Sequence, residues 1–430
     1  MSATYDAVVA GHLCLDIIPQ LSGTRPGQFE KMFLPGRLLE VGPVTLSTGG
    51  VVSNTGLALN RLGITTQLMG KIGDDLFGRA VKQIVGSYIK REPHSRASSR
   101  VSSNVNSPRN SPGSRSGSQV PDLVGGITVD KTTSTSYTII ISPPGQDRMF
   151  LHCPGANDTL EADDVCYDLV SNARLFHFGY PTTMKRMYEQ NGAQLVELFR
   201  RAKGTGVTTS LDVSFPDQTS AAGRADWVNI LGSTLPHVDL FLPNIEETLY
   251  MLHRRIYEEL CQAAGGHSFL PLVSPQLLSD VSRGLLNMGA KIVALKLGDR
   301  GLYVRTAGRS AIASIGPARP SEPAAWADKE LWGPCFKVNV VGTTGAGDAT
   351  VAGFLSALLR DMSPEAALTA AVAVGACNVE AADALGGLRT WDETLRRVES
   401  GWARHKLRLD APGWQFDESH HLWTAKGDIA

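Results

Sequence analysis

A chain of 430 residues that is 42% hydrophobic and 19% charged can bury a sizeable core, which excludes wholesale disorder. Lys and Arg total 41 against 42 Asp and Glu, and this formal charge of −1 gives no reason to expect nucleic acid as a partner. The six cysteines form no C-x-x-C pair and have no histidine at finger spacing, so neither a disulfide framework nor structural zinc is expected.

In chain order, the first apolar run, Ala7–Ala10, reads as a strand, flanked by Asp6 and Asp16 with no basic region before it. A signal peptide is therefore not expected. The longest strongly apolar charge-free stretch, Ala366 to Val379, is too short to span a bilayer, so the expectation is a cytoplasmic protein with no membrane partner. Further β-branched runs at Thr66–Met69, Leu175–Phe178, Val207–Leu211, Val238–Leu242 and Ile292–Leu295 also read as strands. Helical patterns alternate with them at Asn54–Leu62, Phe77–Tyr88, Lys185–Ala202, Ile245–His253, Pro275–Met288 and Ala346–Leu359. This alternation implies right-handed βαβ crossovers and a mostly parallel sheet covered on both faces, an α/β fold.

Two regions depart from it. Cys14–Ser47 and Ile127–Cys153 carry β-type runs with no helix between them, and read as a small antiparallel sheet over the carboxyl ends of the parallel strands. Residues 90–121 break the composition: from Lys90 to Gln119 there are ten serines, six Lys or Arg and one acidic residue, Glu92. Such a segment cannot offset its ordering entropy and reads as a disordered basic insertion, either a plain solvated loop or a regulatory one that is phosphorylated or seeks anions.

The strongest chemical signal is VVGTTGAGDATVAGFLSALL, Val340–Leu359. An apolar run, read as a strand end, meets Gly342, Thr343, Thr344, Gly345, Ala346, Gly347 and Asp348 at the head of a long helix. Small residues let backbone N–H groups converge at a positive helix end, which makes an anion pocket. A carboxylate at Asp348 would repel a stored phosphate, yet it suits a hydroxyl that must lose its proton while attacking one. The bland alternative is a glycine turn with an aspartate favouring the helix dipole.

Earlier, Gly49 and Gly50 permit close backbone approach and Asn54 follows. Asn54 offers one acceptor and two donors for hydroxyl groups, or else serves as a helix N-cap.

The two segments, GG…N…LG…GKIGDDLFG and GTTGAGDATVAGF, closely resemble the signature regions of the ribokinase-like (PfkB) carbohydrate kinases. The resemblance runs from about Tyr5 to Arg389. It implies a three-layer α/β/α sandwich with a small β lid: a kinase domain over residues 1–400, lid strands within residues 13–48 and 126–154, and a C-terminal extension over 401–430. It further implies a kinase that moves the γ-phosphoryl group of ATP, with Mg²⁺, onto a hydroxyl of a sugar-like acceptor. Asp348 would be the base, with Gly345, Ala346 and Gly347 forming the anion hole. Asp16, Gly49, Gly50 and Asn54 would hold the acceptor, and Lys296, Gly298, Gly301, Thr343 and Thr344 the nucleotide. Asn244 and Glu247, in PNIEE, match the N-x-x-E motif that reaches Mg²⁺ through water, although they also fit an N-cap with its N3 glutamate. LKLGDRGLY, which carries Lys296, Gly298 and Gly301, equally fits an ordinary β-hairpin turn.

Gly342 departs from the pattern, because the family usually has an aspartate there that helps to bind a monovalent cation; weak K⁺ activation is expected. A homodimer through the lid is a further implication. A nucleoside kinase, or a silent sugar- or nucleotide-binding protein of the same fold, stands as the alternative. A phosphosugar acceptor would need extra cations near the lid, for which Arg148 is a lone candidate.

Overall fold

The computed structural model describes residues 3–21, 36, 38–89, 125–142 and 149–425. The 90–121 insertion and Arg148 lie outside the described residues. Eleven strands form the main sheet: β1 (Tyr5–Gly11), β4 (Thr66–Gly73), β5 (Gly126–Asp130), β8 (Ala173–Gly179), β9 (Thr208–Asp212), β10 (Leu240–Phe241), β11 (Ile292–Lys296), β12 (Leu302–Thr306), β13 (Glu330–Gly333), β14 (Trp414–Asp417) and β15 (Leu422–Ala425). Four strands form a second sheet: β2 (Cys14–Pro19), β3 (Val44–Gly49), β6 (Tyr137–Ile141) and β7 (Met149–Cys153).

The main sheet runs β14-β15-β13-β12-β11-β10-β9-β8-β1-β4-β5. From β11 to β5 all pairs are parallel, and from β11 through β12, β13 and β15 to β14 they are antiparallel. Strands β14 and β15, drawn from the 401–430 segment, thus continue the central sheet. Successive residues of β1 point to opposite faces: Ala7 and Val9 enter one core, Val8 and Ala10 the other. The first core takes in the helices Val51–Arg61, Ala346–Leu359 and Pro364–Asn378, and the second the helices Ala193–Gly204, Ile245–Leu252 and Pro275–Asn287. Both faces are therefore covered, as a parallel sheet requires.

Four local expectations are corrected. In the small sheet β2 pairs antiparallel with β3 but parallel with β6, because the chain adds β4 and β5 to the main sheet before returning beside β2. The stretch Lys185–Ala202 is not one helix: Gln190, Asn191 and Gly192 have φ of 51°, 54° and 74°, and the long helix begins at Ala193. The apolar run before Gly342 is not a strand end, since Val340 and Val341 pair with no strand and are 58% and 56% exposed. Asn54 is no N-cap, because its helix starts at Val51 after Gly50, which takes the cap position with φ 86°.

Register sets up the site. Gly11 of β1 lies opposite Gly179 of β8, which lies opposite Asp212 of β9. The carboxyl ends of these three strands are level, so His12, Tyr180 and Asp212 share one edge of the sheet, where open α/β folds bind ligands.

Candidate active site

The helix Ala346–Leu359 begins at this edge. Gly345 precedes it at φ 73°, and a Cβ there would fall 2.7 Å from the Ala384 Cβ, so glycine is required both by conformation and by space. The Ala346 N–H donates to the Thr343 carbonyl at 3.2 Å, closing the turn into the helix. A Cβ on Gly347 would lie 3.7 Å from the Lys296 ammonium nitrogen, which places that cation beside the helix start.

Asp348 is 3% exposed in the first helical turn. Its carboxylate accepts three side-chain hydrogen bonds: from Asn54 Nδ2 at 3.1 Å, Thr55 Oγ1 at 3.0 Å and the Tyr180 hydroxyl at 2.7 Å. Burial, and then Asp348 itself, push the Tyr180 hydroxyl well above its ordinary pKa, so it remains a donor. Tyr180 follows β8 in the left-handed region, φ 65°, a conformation that a non-glycine residue holds only when its surroundings enforce it.

One wall of the site is charged and internally paired. Lys296 ends β11, Asp212 ends β9, and the Lys296 ammonium lies 2.8 Å from each Asp212 carboxylate oxygen. Burial opposes the Lys296 charge, but Asp212 and Glu247 outweigh it and hold its pKa above the usual lysine range. Asn244 and Glu247 form a reciprocal capping box: Asn244 Oδ1 accepts from the Glu247 N–H at 2.6 Å and Glu247 Oε2 from the Asn244 N–H at 2.7 Å. Burial pushes the Glu247 carboxyl up to about 8.

These groups line a cavity of about 430 Å³, together with Gly298, Gly301, Thr343, Gly345, Ala346, Gly347 and Asp348. Gly298 and Gly301 lie in the tight β11–β12 hairpin at φ 57° and 96°, so the hairpin reading and a place on the cavity wall hold together. Thr344 lies outside this wall, with its carbonyl accepting from Asn378 Nδ2 at 2.9 Å.

Asp348 is also reached from the head of the helix Val51–Arg61, through Asn54 and Thr55, and that helix follows directly on the lid strand β3; these form a second wall, the lid wall. Asp16 sits in β2, opposite Ser47 of β3 and Thr138 of β6. A Cβ on Gly49 would fall 2.5 Å from an Asp16 carboxylate oxygen, so any larger residue there would displace the Asp16 side chain. Burial raises the Asp16 carboxyl to about 6, and the Cys14 thiol donates to it at 3.4 Å. The structure thus joins Asp348 directly to Asn54, and brings Lys296, Asn244, Glu247, Gly298, Gly301 and the glycine turn around one cavity. Asp16, Gly49 and Gly50 stand on the lid side of Asn54.

Sequence reasoning missed Thr55, Tyr180, Asp212 and His405. Thr55 was adjacent to a residue already singled out. His405 lines the cavity because its backbone N–H donates to the Cys335 carbonyl at 2.7 Å, tying the C-terminal segment across the mouth. Another cavity, about 900 Å³, lies at the far end of the helix Ala346–Leu359. Arg360 there stacks on Trp391 at 4.4 Å and donates to the Leu62 and Ser356 carbonyls, so its cation is already engaged. The strand ends converge at the smaller cavity.

Residues 124–391 match the pfkB family carbohydrate kinase profile, well over half of the chain. The chain belongs to the pfkB family of carbohydrate kinases. Fructokinase-1 of Zea mays is 23% identical over 409 residues, covering 93% of this chain and 99% of the maize protein. The Arabidopsis thaliana ribokinase, solved with ribose and ATP, superposes with a TM-score of 0.61 at 17% identity, covering 92% of this chain and 98% of that one. A nucleoside kinase of Methanocaldococcus jannaschii superposes at 0.59 with 16% identity, covering 93% and 100%. The ribokinase-like fold expected of the signatures is therefore present. Among the described residues no helix is long and apolar enough to cross a membrane.

Proposed function

We propose that this kinase transfers the γ-phosphoryl group of ATP to a hydroxyl of a sugar or sugar-like acceptor, with Asp348 as general base. The observation that carries the reading is the Asp348 carboxylate, fixed by three donors between the glycine-walled helix start and the lid wall. The acceptor hydroxyl gives its proton to Asp348 as its oxygen bonds to the γ-phosphorus, the bond to the β-phosphate oxygen breaks, and ADP leaves. The amides of Gly345, Ala346 and Gly347, at the positive end of the helix, and the nearby Lys296 balance the charge that develops. Gly298, Gly301, Thr343 and Thr344 would shape the nucleotide side, with Thr344 acting only through the turn it holds. Asp16, Gly49, Gly50 and Asn54 would orient the acceptor.

Among the described residues no group of three His, Cys, Asp or Glu gathers as a metal site. Mg²⁺ would be held mainly by phosphate and water oxygens, with Asn244 and Glu247 reaching it through water. When bound, Mg²⁺ would neutralise phosphate charge.

A nucleoside acceptor is the second reading. It is favoured by three rings near the lid, with His12 lying 5.2 Å from His152 and 6.2 Å from Tyr180. The intact Asp348 speaks against a silent binding protein. Exposed Val44, Leu46, Phe150 and Leu151 on the lid support a homodimer through it, which light scattering of the purified chain would test. The kinase reading is tested by ADP release against a panel of sugars and nucleosides. Turnover of a neutral sugar above the ATPase background supports it, turnover of nucleosides alone selects the second reading, and none with either overturns both.

A further inference from the structure

His12 lies in the two-residue link between β1 and β2, and its main chain is tied at both groups. Its N–H donates to the Gly179 carbonyl at 3.4 Å, and its carbonyl accepts from the Val52 N–H at 3.2 Å. The ring is held against Gly50, where a Cβ would fall 2.4 Å from His12 Nδ1. So fixed, the residue is 4% exposed, yet neither ring nitrogen has a hydrogen-bond partner among the described residues.

Buried polar groups are almost always paired, so two open nitrogens on one immobilised ring require a reason. His177, buried in the sheet, also leaves its Nε2 without a partner among the described residues, but its Nδ1 bonds Ser210 Oγ at 2.9 Å, so its ring is anchored by one hydrogen bond where that of His12 has none. His12 lies instead on a closed circuit around the lid wall. Its ring faces His152, whose Nδ1 bonds Thr138 Oγ1 at 2.9 Å. Thr138 contacts the Cys14 thiol at 3.7 Å, that thiol donates to Asp16, and Asp16 packs on Gly49, the neighbour of Gly50. Inside the same wall Asn54 turns Nδ2 to Asp348 while its Oδ1 has no partner among the described residues.

We propose that His12 is a specificity-determining residue of the acceptor cleft, where its imidazole Nε2 shares one hydrogen bond with a hydroxyl of an uncharged polyol. A hydroxyl can give or take that hydrogen bond, so one substrate oxygen satisfies Nε2 in either tautomer, while Nδ1 stays packed against Gly50. Asn54 Oδ1 and the Asp16 carboxylate then accept from further hydroxyls, which makes the wall complementary to a ring or chain bearing several of them. Burial, with His152 nearby, keeps the His12 ring neutral, with a pKa down at about 3, as this pairing needs. The inference rests on the sugar-kinase reading above and deepens it.

The test uses the full chain with His12→Leu and His12→Gln, measuring kcat, KM for D-fructose and D-ribose, and the Kd for ATP by calorimetry. His12→Leu should raise the acceptor KM about tenfold or more, the cost of about one hydrogen bond to a buried partner, and leave the ATP Kd within about twofold. His12→Gln keeps a donor and an acceptor and should recover most of that loss while changing the ranking of the two sugars. An acceptor KM unchanged in a folded His12→Leu chain overturns the proposal. Equal losses of thermal stability and of ATP binding in both variants would make His12 a packing residue and overturn it as well. If the wild-type chain binds ATP but phosphorylates no sugar, the kinase reading itself fails, and the inference falls with it.

Discussion

Two walls meet at Asp348. On the cavity wall Lys296 is clasped by both oxygens of Asp212, and Asn244 and Glu247 satisfy each other. On the lid wall, among the described residues, the His12 ring nitrogens and the Asn54 side-chain oxygen have no hydrogen-bond partner, and the Asp16 carboxyl has the Cys14 thiol. The cavity wall holds its charges pre-paired and presents glycine backbone, which suits a ligand recognised by its own charge and by close approach. The lid wall leaves an imidazole, an amide oxygen and a carboxyl group with little pairing, which suits a ligand made of hydroxyls. The difference teaches where selectivity resides: changes to the first wall should cost stability and rate, and changes to the second should alter which acceptor is used.

The largest effect is expected at the junction. Asp348→Asn keeps the shape and one acceptor oxygen but removes the base, so kcat should fall by about 10²–10⁴. Thermal stability should drop modestly, because the new NH₂ faces the donors of Asn54, Thr55 and Tyr180. ATP binding by calorimetry should survive. Turnover near wild type in a folded variant would remove Asp348 from the mechanism.

Next in size is the clasp on the cavity wall. Lys296→Met strands Asp212, which is 1% exposed, and breaking a buried pair from one side costs about 3–5 kcal/mol. Denaturant unfolding should show that loss. Adding Asp212→Asn, or lowering the pH towards 5 so that the stranded carboxyl takes a proton, should recover part of it. A single variant as stable as wild type would mean that the pair is not the structural half of the comparison.

How much of this was legible differs along the chain. The helix Ala346–Leu359 and its glycine entry could be read because every feature is local: small residues, a positive φ at Gly345 and an unbroken apolar helix. Asp212 and Tyr180 could not, because each reaches the cavity through strand register, Gly179 opposite Asp212, and no local pattern marks it. The parallel β2–β6 pair was hidden for the same reason, since its partners are separated by two strands of another sheet. Val340 and Val341 misled because β-branched residues signal a strand only where a partner edge exists. The capping box at Asn244 was readable from spacing, whereas the burial that raises Glu247 was not.

That burial gives a smaller and pH-dependent effect. The Glu247 carboxyl lies at about 8 in the folded chain against 4.5 normally, so the folded state holds a proton that the unfolded state has released between those values. Its contribution to stability is therefore greatest below pH 4.5 and declines as the pH rises towards 8. Ionised Glu247 is the form suited to the proposed Mg²⁺ side, so kcat/KM for MgATP should rise over the same approach to pH 8. Glu247→Gln should flatten both slopes, as read by unfolding and by initial rates across pH 6–9. An unchanged pH profile would leave Glu247 with its capping role alone.

The smallest effect concerns K⁺. The turn before the helix has Gly342 where the resembling kinases usually have an aspartate, which removes a carboxylate oxygen and a negative charge. The Val341 and Gly342 amides both donate to the Val379 carbonyl, at 2.8 and 3.2 Å, so the loop is tied down without any ion. A carboxylate does stand nearby, at Asp383, next to the Ala384 that crowds Gly345. One of its oxygens already accepts from the Leu385 N–H at 2.9 Å and from the Gly386 N–H. Engaged in its own turn, Asp383 is poorly placed to restore the missing charge, and backbone carbonyls alone hold a monovalent cation weakly. Exchanging KCl for a large organic cation at constant ionic strength should therefore change the rate by less than about twofold, and Gly342→Asp should increase the response. Activation that saturates at millimolar K⁺ in the wild-type chain would show that Asp383 or the carbonyls suffice. The cavity wall would then be less completely pre-paired than its Lys296–Asp212 clasp implies.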